Sequence, residues 1–143
     1  MKLPDTNVLL YAVNADAEQH PTASRWLAEA FDAPGGVGLC WVALLGFIRI
    51  STRAGIFAQP LSVEDALQVV DHWLSQPTAQ VLEPGARHAA ILGRLLVGAG
   101  AAGNLTNDAH LAALAIEHGA ILGSFDRDFQ RFAGVEHEWL GRR

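Results

Sequence analysis

The sequence predicts a single α/β domain of three layers, with a mostly parallel central sheet covered on both faces by helices. Three observations carry this. Short apolar runs of strand type alternate with longer segments of helical periodicity along the whole chain. Strands separated by helices pair in parallel and bury both faces of their sheet. The 143 residues, half of them apolar, are enough for one core that needs no disulfide or structural metal.

Lys2 to Pro4 reads as a short strand ending where Pro4 removes a ladder donor, and Asn7 to Val13 opens a helix. Pro21 to Phe31 is a second helix, with Pro21 in the first turn and Trp26, Leu27, Ala30 and Phe31 along an apolar stripe. Gly35 and Gly36 separate it from a strand over Val37 to Cys40, which leads into a very apolar helix from Trp41 to about Thr52. Ser62 followed by Asp65 resembles a capping box. The helix behind it runs to Ser75 with Val63, Ala66, Leu67, Val70, Trp73 and Leu74 on one stripe, and Pro77 follows its end.

Gln80 to Leu82 is a third strand and Ala86 to Val97 another helix, ending in the stretch GAGAAG from Gly98 to Gly103. That stretch follows a helix and contains no lysine, so it is not a phosphate-cradling loop of Walker type. Thr106 is the expected N-cap of the next helix, which places Asp108 in the first turn, turns Leu111, Ala112, Leu114, Ala115 and His118 toward the core, and stops at Gly119. Ala120 to Ser124 is a fourth strand, Asp126 to Phe132 a short helix, and His137 to Leu140 a short last strand. No internal repeat or low-complexity linker interrupts the pattern, so one domain is expected over residues 1–143.

Cys40 is the single cysteine, which excludes an intrachain disulfide or zinc framework and reads as a buried small hydrophobe. No run approaches the ~18 apolar residues of a membrane span, and the N-terminus lacks signal-peptide architecture, so a soluble cytoplasmic protein is expected. A net charge of −5 argues against nucleic-acid binding by bulk electrostatics and directs attention to local charge. All ten basic residues except Lys2 are arginines. Arg49/Arg53 and Arg127/Arg131 have i,i+4 spacing, which places each pair on one face if those segments are helical.

Three aspartates stand where chain segments far apart in sequence can converge. Asp5 and Asp126 each lie just past an expected strand, at the end of the sheet where open α/β folds place their ligand crevices. Asp108 enters from a helix N-terminus, whose dipole favours an ionised carboxylate. Carboxylates packed within a few Å raise one another's pKa until a proton or a cation intervenes, and a hard divalent ion answers that need. Thr6, Asn7, Asn107 and Ser124 are polar neighbours able to orient waters or carboxylates, although turn and capping roles also explain them. The histidines lack HExxH spacing, and neither a GxSxG elbow nor a DxD nucleophile motif is present.

The runs DTNVLLYA, NDAHLAALAIEHGA and GSFDRDFQRF together resemble the PIN-domain toxins of the VapC type, over essentially the whole chain. The resemblance implies a PIN-like three-layer α/β/α fold. It also implies a Mg2+- or Mn2+-dependent endoribonuclease that acts as the toxic half of a toxin–antitoxin pair, usually dimeric and silenced by a small antitoxin. Carried onto this chain, the family's acids fall at Asp5, Asp108 and Asp126, with Thr6, Asn7 and Ser124 close by. One departure stands out: the family's glutamate in the helix after the second strand has no counterpart in WVALLGFIRIST, where Gly46 takes the position.

Two-metal catalysis needs enough anionic oxygens to hold two cations. Asp128 is therefore a further candidate ligand, and Arg131 is an alternative partner for it. Glu117 is about half a turn out of phase with Asp108 and does not replace the missing acid. Arg49, Arg53 and Arg127 are the expected RNA-contacting rim. The alternative to the enzyme is a non-catalytic PIN-like module that binds RNA or a partner protein, as the missing glutamate permits.

Overall fold

Five strands, β1 (Lys2–Pro4), β2 (Val37–Leu39), β3 (Ala79–Val81), β4 (Ile121–Ser124) and β5 (His137–Trp139), form one all-parallel sheet in the order β3-β2-β1-β4-β5. The computed structural model describes residues 1–100 and 102–142, apart from the side chain of Asn104. Lys2 is in register with both Val37 and Ile121, and Pro4 with Gly123. The expected strands are all present, shifted by a residue at some ends. Ala120 is not in β4 because its N–H bonds to Ala115 O at 2.8 Å and completes the preceding helix end.

Six helices connect the strands: α1 (Thr6–Val13), α2 (His20–Asp32), α3 (Trp41–Ser51), α4 (Val63–Leu74), α5 (His88–Ala99) and α6 (Thr106–His118). Short 3-10 turns occupy Gly103–Leu105 and Arg127–Arg131. α4 starts as its sequence predicts, with the Ser62 hydroxyl accepting the Asp65 N–H at 3.0 Å. Its stripe is narrower than expected: Ala66, Val70 and Trp73 are buried, whereas Val63 and Leu67 are exposed.

At the start of α6 the 3-10 turn runs straight into the helix, so Thr106 is the first helical residue and makes no side-chain cap. Gly119 ends α6 with φ 66°, a left-handed conformation that a Cβ disfavours. Leu111, Ala112, Leu114 and Ala115 are buried as expected. His118 is not a core residue, because its Nε2 reaches the Glu83 carbonyl at 2.8 Å. In the glycine-rich stretch α5 closes at Gly100, with φ 72°, and Ala101 lies outside the described residues.

From β1 the chain steps through β2 to β3, then returns across the sheet to β4 and β5. Right-handed crossovers place α1 to α4 on one face and α5 and α6 on the other. The packing agrees, since α1 lies against α2 and α3, α3 against α4, and α5 against α6. The direction of winding switches between β1 and β4, and a crevice opens at the carboxyl ends of strands at such a point. No helix among the described residues is long and apolar enough to cross a membrane.

Candidate active site

The end of β1 and the end of β4 are tied together by one buried hydroxyl. Asp5 follows β1 in extended conformation and caps α1, its Oδ1 accepting the Thr6 N–H at 2.7 Å. Its Oδ2 accepts the Ser124 hydroxyl proton at 2.7 Å. Ser124, fully buried, in turn accepts the Asp126 N–H at 3.0 Å and an Asn7 amide N–H at 3.2 Å. Asn7 completes the link, with Oδ1 accepting the Phe125 N–H at 3.2 Å. Asp5 and Asp126 are thus linked by the side chains of Ser124 and Asn7, each two residues from one of the expected acids.

Asp108 reaches the same place from the first turn of α6. It shares with Asp5 a cavity of about 200 Å³, whose wall includes Thr6, Gly46, Arg49 and Asn107. Burial raises the Asp5 carboxyl, opposed by the Ser124 and Thr6 hydrogen bonds and reinforced by the charge of Asp126. Asp108 is pushed up to about 6, first by burial and then by Asp5, Asp126 and Asp128, with Arg131 pulling the other way. Each aspartate therefore lies within the field of the others, and the cluster holds more negative charge than it can keep ionised alone.

Among the described residues, no three His, Cys, Asp or Glu side chains close on a single point. The oxygen-only donor set fits magnesium or manganese under one condition: one or two carboxylates bind directly and the rest act through water, which is how Mg2+ is ordinarily held. The charge of Asp128 bears on Asp108 from the rim of the cluster. It is exposed, its N–H caps onto Asp126 Oδ1 at 2.8 Å, and its Oδ1 lies 3.4 Å from Arg131 Nη2.

The α3 side of the cavity is built without acid. A Cβ at Gly46 would lie 2.7 Å from Thr6 Oγ1 and 3.0 Å from its Cγ2, so the glycine permits the close approach of α1 to α3. Thr6 Oγ1 donates to the Ala43 carbonyl at 3.2 Å across the same seam. A glutamate at position 46 would face the cavity, yet only if Thr6 gave way. Arg49, one turn further along, lines the cavity and makes no ion pair among the described residues.

Arg53 lies beyond the end of α3, where Thr52 Oγ1 turns back to the Ile48 carbonyl at 2.7 Å, so Arg49 and Arg53 do not share a helix face. Arg127 follows Asp126 and stacks over Trp139, its guanidinium carbon 4.0 Å from the ring centroid. Two polar features escape the sequence pattern. Glu117 accepts the N–H groups of Gly85 at 2.8 Å and Arg87 at 3.2 Å, which lowers its pKa, and it lies 3.8 Å from His88 Nδ1. His88 Nε2 meets His110 Nδ1 at 2.9 Å. These partners are 22 to 32 residues apart, and no local spacing announces them.

The PIN domain family matches residues 2–135 of the chain. The chain is 50% identical over 135 residues to Ribonuclease VapC37 of Mycobacterium tuberculosis, covering 94% of each protein. To Ribonuclease VapC33 of the same species it is 43% identical over 136 residues, covering 95% of each. The fold superposes on that of VapBC-1 from nontypeable Haemophilus influenzae with a TM-score of 0.70 at 16% identity, covering 97% of each chain. A DNA-bound VapBC from Salmonella typhimurium gives 0.67 at 18% identity, also over 97% of each chain. The sheet order, the placement of the three aspartates and these likenesses converge: the chain belongs to the PIN-domain family, among the VapC ribonucleases.

Proposed function

We propose that the chain is a divalent-metal-dependent endoribonuclease that hydrolyses RNA phosphodiester bonds as the toxin of a toxin–antitoxin pair. The observation that carries this reading is the mutual field of the three acids: the charge of Asp126 helps to raise both Asp5 and Asp108, and Asp5 and Asp108 line one cavity. A bound Mg2+ or Mn2+ supplies the positive charge that acidifies a water and stabilises the scissile phosphate. The chain's own contribution is position and charge. Ser124 and the Thr6 N–H hold the Asp5 carboxylate, Asn7 holds the β4 end, and Asp108 approaches from the opposite face. Arg49 in the cavity wall, with Arg127 and Arg53 further out, offsets the net negative charge and grips phosphate.

A solved structural neighbour from Klebsiella pneumoniae is a toxin–antitoxin complex, which supports an antitoxin partner here. A carboxylate pocket that attracts a cation also accepts a partner's arginine or lysine, and occupation by such a side chain silences the site. We read the chain as a cytoplasmic protein that acts as a homodimer. One observation favours a second reading, that of a non-catalytic RNA- or partner-binding module: the α3 wall carries Gly46 where an acid would complete a two-metal site. Purified, partner-free protein incubated with total RNA decides between them. Fragmentation that EDTA stops and added Mg2+ or Mn2+ restores is the expected result, and intact RNA under all conditions favours the binding module.

A further inference from the structure

A second cavity, of about 340 Å³, opens on the other side of Phe125 from the carboxylates, lined by Tyr11, Gln19, Thr22, Phe125 and Leu140. Its volume falls within the ~300–1,000 Å³ of small-ligand pockets. We propose that it receives one nucleobase of single-stranded RNA flanking the scissile phosphate. This rests on the ribonuclease reading above.

Position argues for it first. Phe125 stands between Ser124, which holds Asp5, and Asp126, so its ring springs from the stretch of backbone that places two of the three acids. Tyr11 is one helical turn along α1 from Asn7, a rise of ~6 Å. The platform is rigid: the Phe125 N–H is held by Asn7 at 3.2 Å and its carbonyl by the Trp139 indole N–H at 3.0 Å. Tyr11 meets the Phe125 ring edge-on, centroids 5.1 Å apart at 82°, which leaves an L-shaped aromatic corner for a planar guest.

Chemistry argues for it next. The Gln19 side chain is half-buried in the cavity lining and has no hydrogen-bond partner among the described residues, although its backbone caps α2. The Tyr11 hydroxyl is likewise without a partner there. An amide that offers a donor and an acceptor side by side suits the edge of a base splayed from a single strand. At the mouth, Glu18 and Arg142 form a 2.7 Å ion pair that is largely exposed, and such a pair opens at little cost. Two aromatic walls and a half-buried amide that bonds to no protein group among the described residues suit a base better than an apolar segment.

The test compares wild type, Gln19→Ala, and Thr22→Trp, in which an exposed residue is enlarged to fill the cavity from its rim. Each is given a random-sequence RNA with Mn2+ and the cut ends are sequenced; affinity for a short RNA carrying 2-aminopurine is measured separately in EDTA. Expected are a base preference at one position beside the wild-type cut, its loss in Gln19→Ala, and an affinity about tenfold weaker in Thr22→Trp, the scale of one lost stacking contact. A wild-type cut pattern and affinities within twofold in both variants overturn the subsite while leaving the ribonuclease reading intact. Variants unchanged toward RNA but no longer neutralised by a cognate antitoxin overturn it in favour of a protein segment. A wild type that cuts nothing overturns the ribonuclease reading, and affinities within twofold in both variants then overturn the subsite as well.

Discussion

The two walls of the carboxylate cavity are built by opposite means. On the β1 and β4 side, every contact that places the acids is a hydrogen bond: Ser124 alone serves Asp5, Asn7 and the Asp126 N–H. On the α3 side placement is by van der Waals contact, with Gly46 set against Thr6 and no acid within the seam. On the proposed reading the first wall would set where a cation sits, whereas the second sets the shape of the cavity and adds charge through Arg49. The comparison therefore separates activity from stability. Substitutions on the first wall should strike cleavage, and those on the second should strike folding.

The largest effect is expected at Asp5. Asp5→Asn keeps the shape but removes the charge that Ser124 and Thr6 orient, and cleavage should fall by more than ~100-fold, beyond the loss typical of an outer-shell partner. Steady-state rates on a defined RNA, with circular dichroism to confirm folding, measure this. Ser124→Ala should follow, with a ~10–100-fold loss, because Asp5 and Asp126 are then no longer tied. Its signature is weaker metal affinity in a titration. Full activity in Ser124→Ala would mean that the hydroxyl only fills space.

The second wall responds differently. Helix propensity alone favours alanine over glycine by ~1 kcal/mol, but a Cβ at position 46 meets Thr6 Oγ1 at 2.7 Å. Gly46→Ala should therefore destabilise the fold by ~1–3 kcal/mol through overpacking. Thr6→Ala in the same chain should recover most of the loss, since the two nearest contacts belong to the threonine side chain. Urea unfolding of the four proteins of this cycle gives the coupling, and a stabilised Gly46→Ala would show that α1 and α3 are not in close contact.

The smallest effect is one of pH. Asp108 titrates at about 6 in the fold, above its ordinary 3.8, so between those values the native state binds the extra proton. By linkage, the metal-free protein loses stability as pH rises through that window, while cation binding weakens as pH falls below about 6. Thermal melts from pH 4 to 8, with and without Mn2+, should show these opposite slopes, and Asp108→Asn should flatten both.

Much of this was legible in the sequence because the signals are local. Strand and helix alternate with their own periods, Ser62 caps α4 as its spacing suggests, and Asp5, Asp108 and Asp126 announce themselves by standing at element ends. What the sequence hides is carried by residues far apart. The role of Ser124 depends on a contact with Asp5 across 119 positions, and the meaning of Gly46 on the side chain of Thr6. The condition for Arg49 and Arg53 to share a face is not met, because Arg53 falls outside α3, and Val63 and Leu67 sit on the exposed flank of the α4 stripe. Thr106, a good capping residue by type, was displaced from the cap by the 3-10 turn before it.

The claim that the three aspartates act as one cation site is tested most directly by Asp108→Asn, the member that belongs to neither strand. Partner-free wild type and folded Asp108→Asn are compared on one labelled RNA across a titration of Mg2+ and of Mn2+, after EDTA stripping. The expected result is wild-type cleavage that appears only with metal, and no cleavage above background by Asp108→Asn at any metal concentration. Cleavage that persists in EDTA, or an Asp108→Asn protein that cuts at the wild-type rate, would contradict the account.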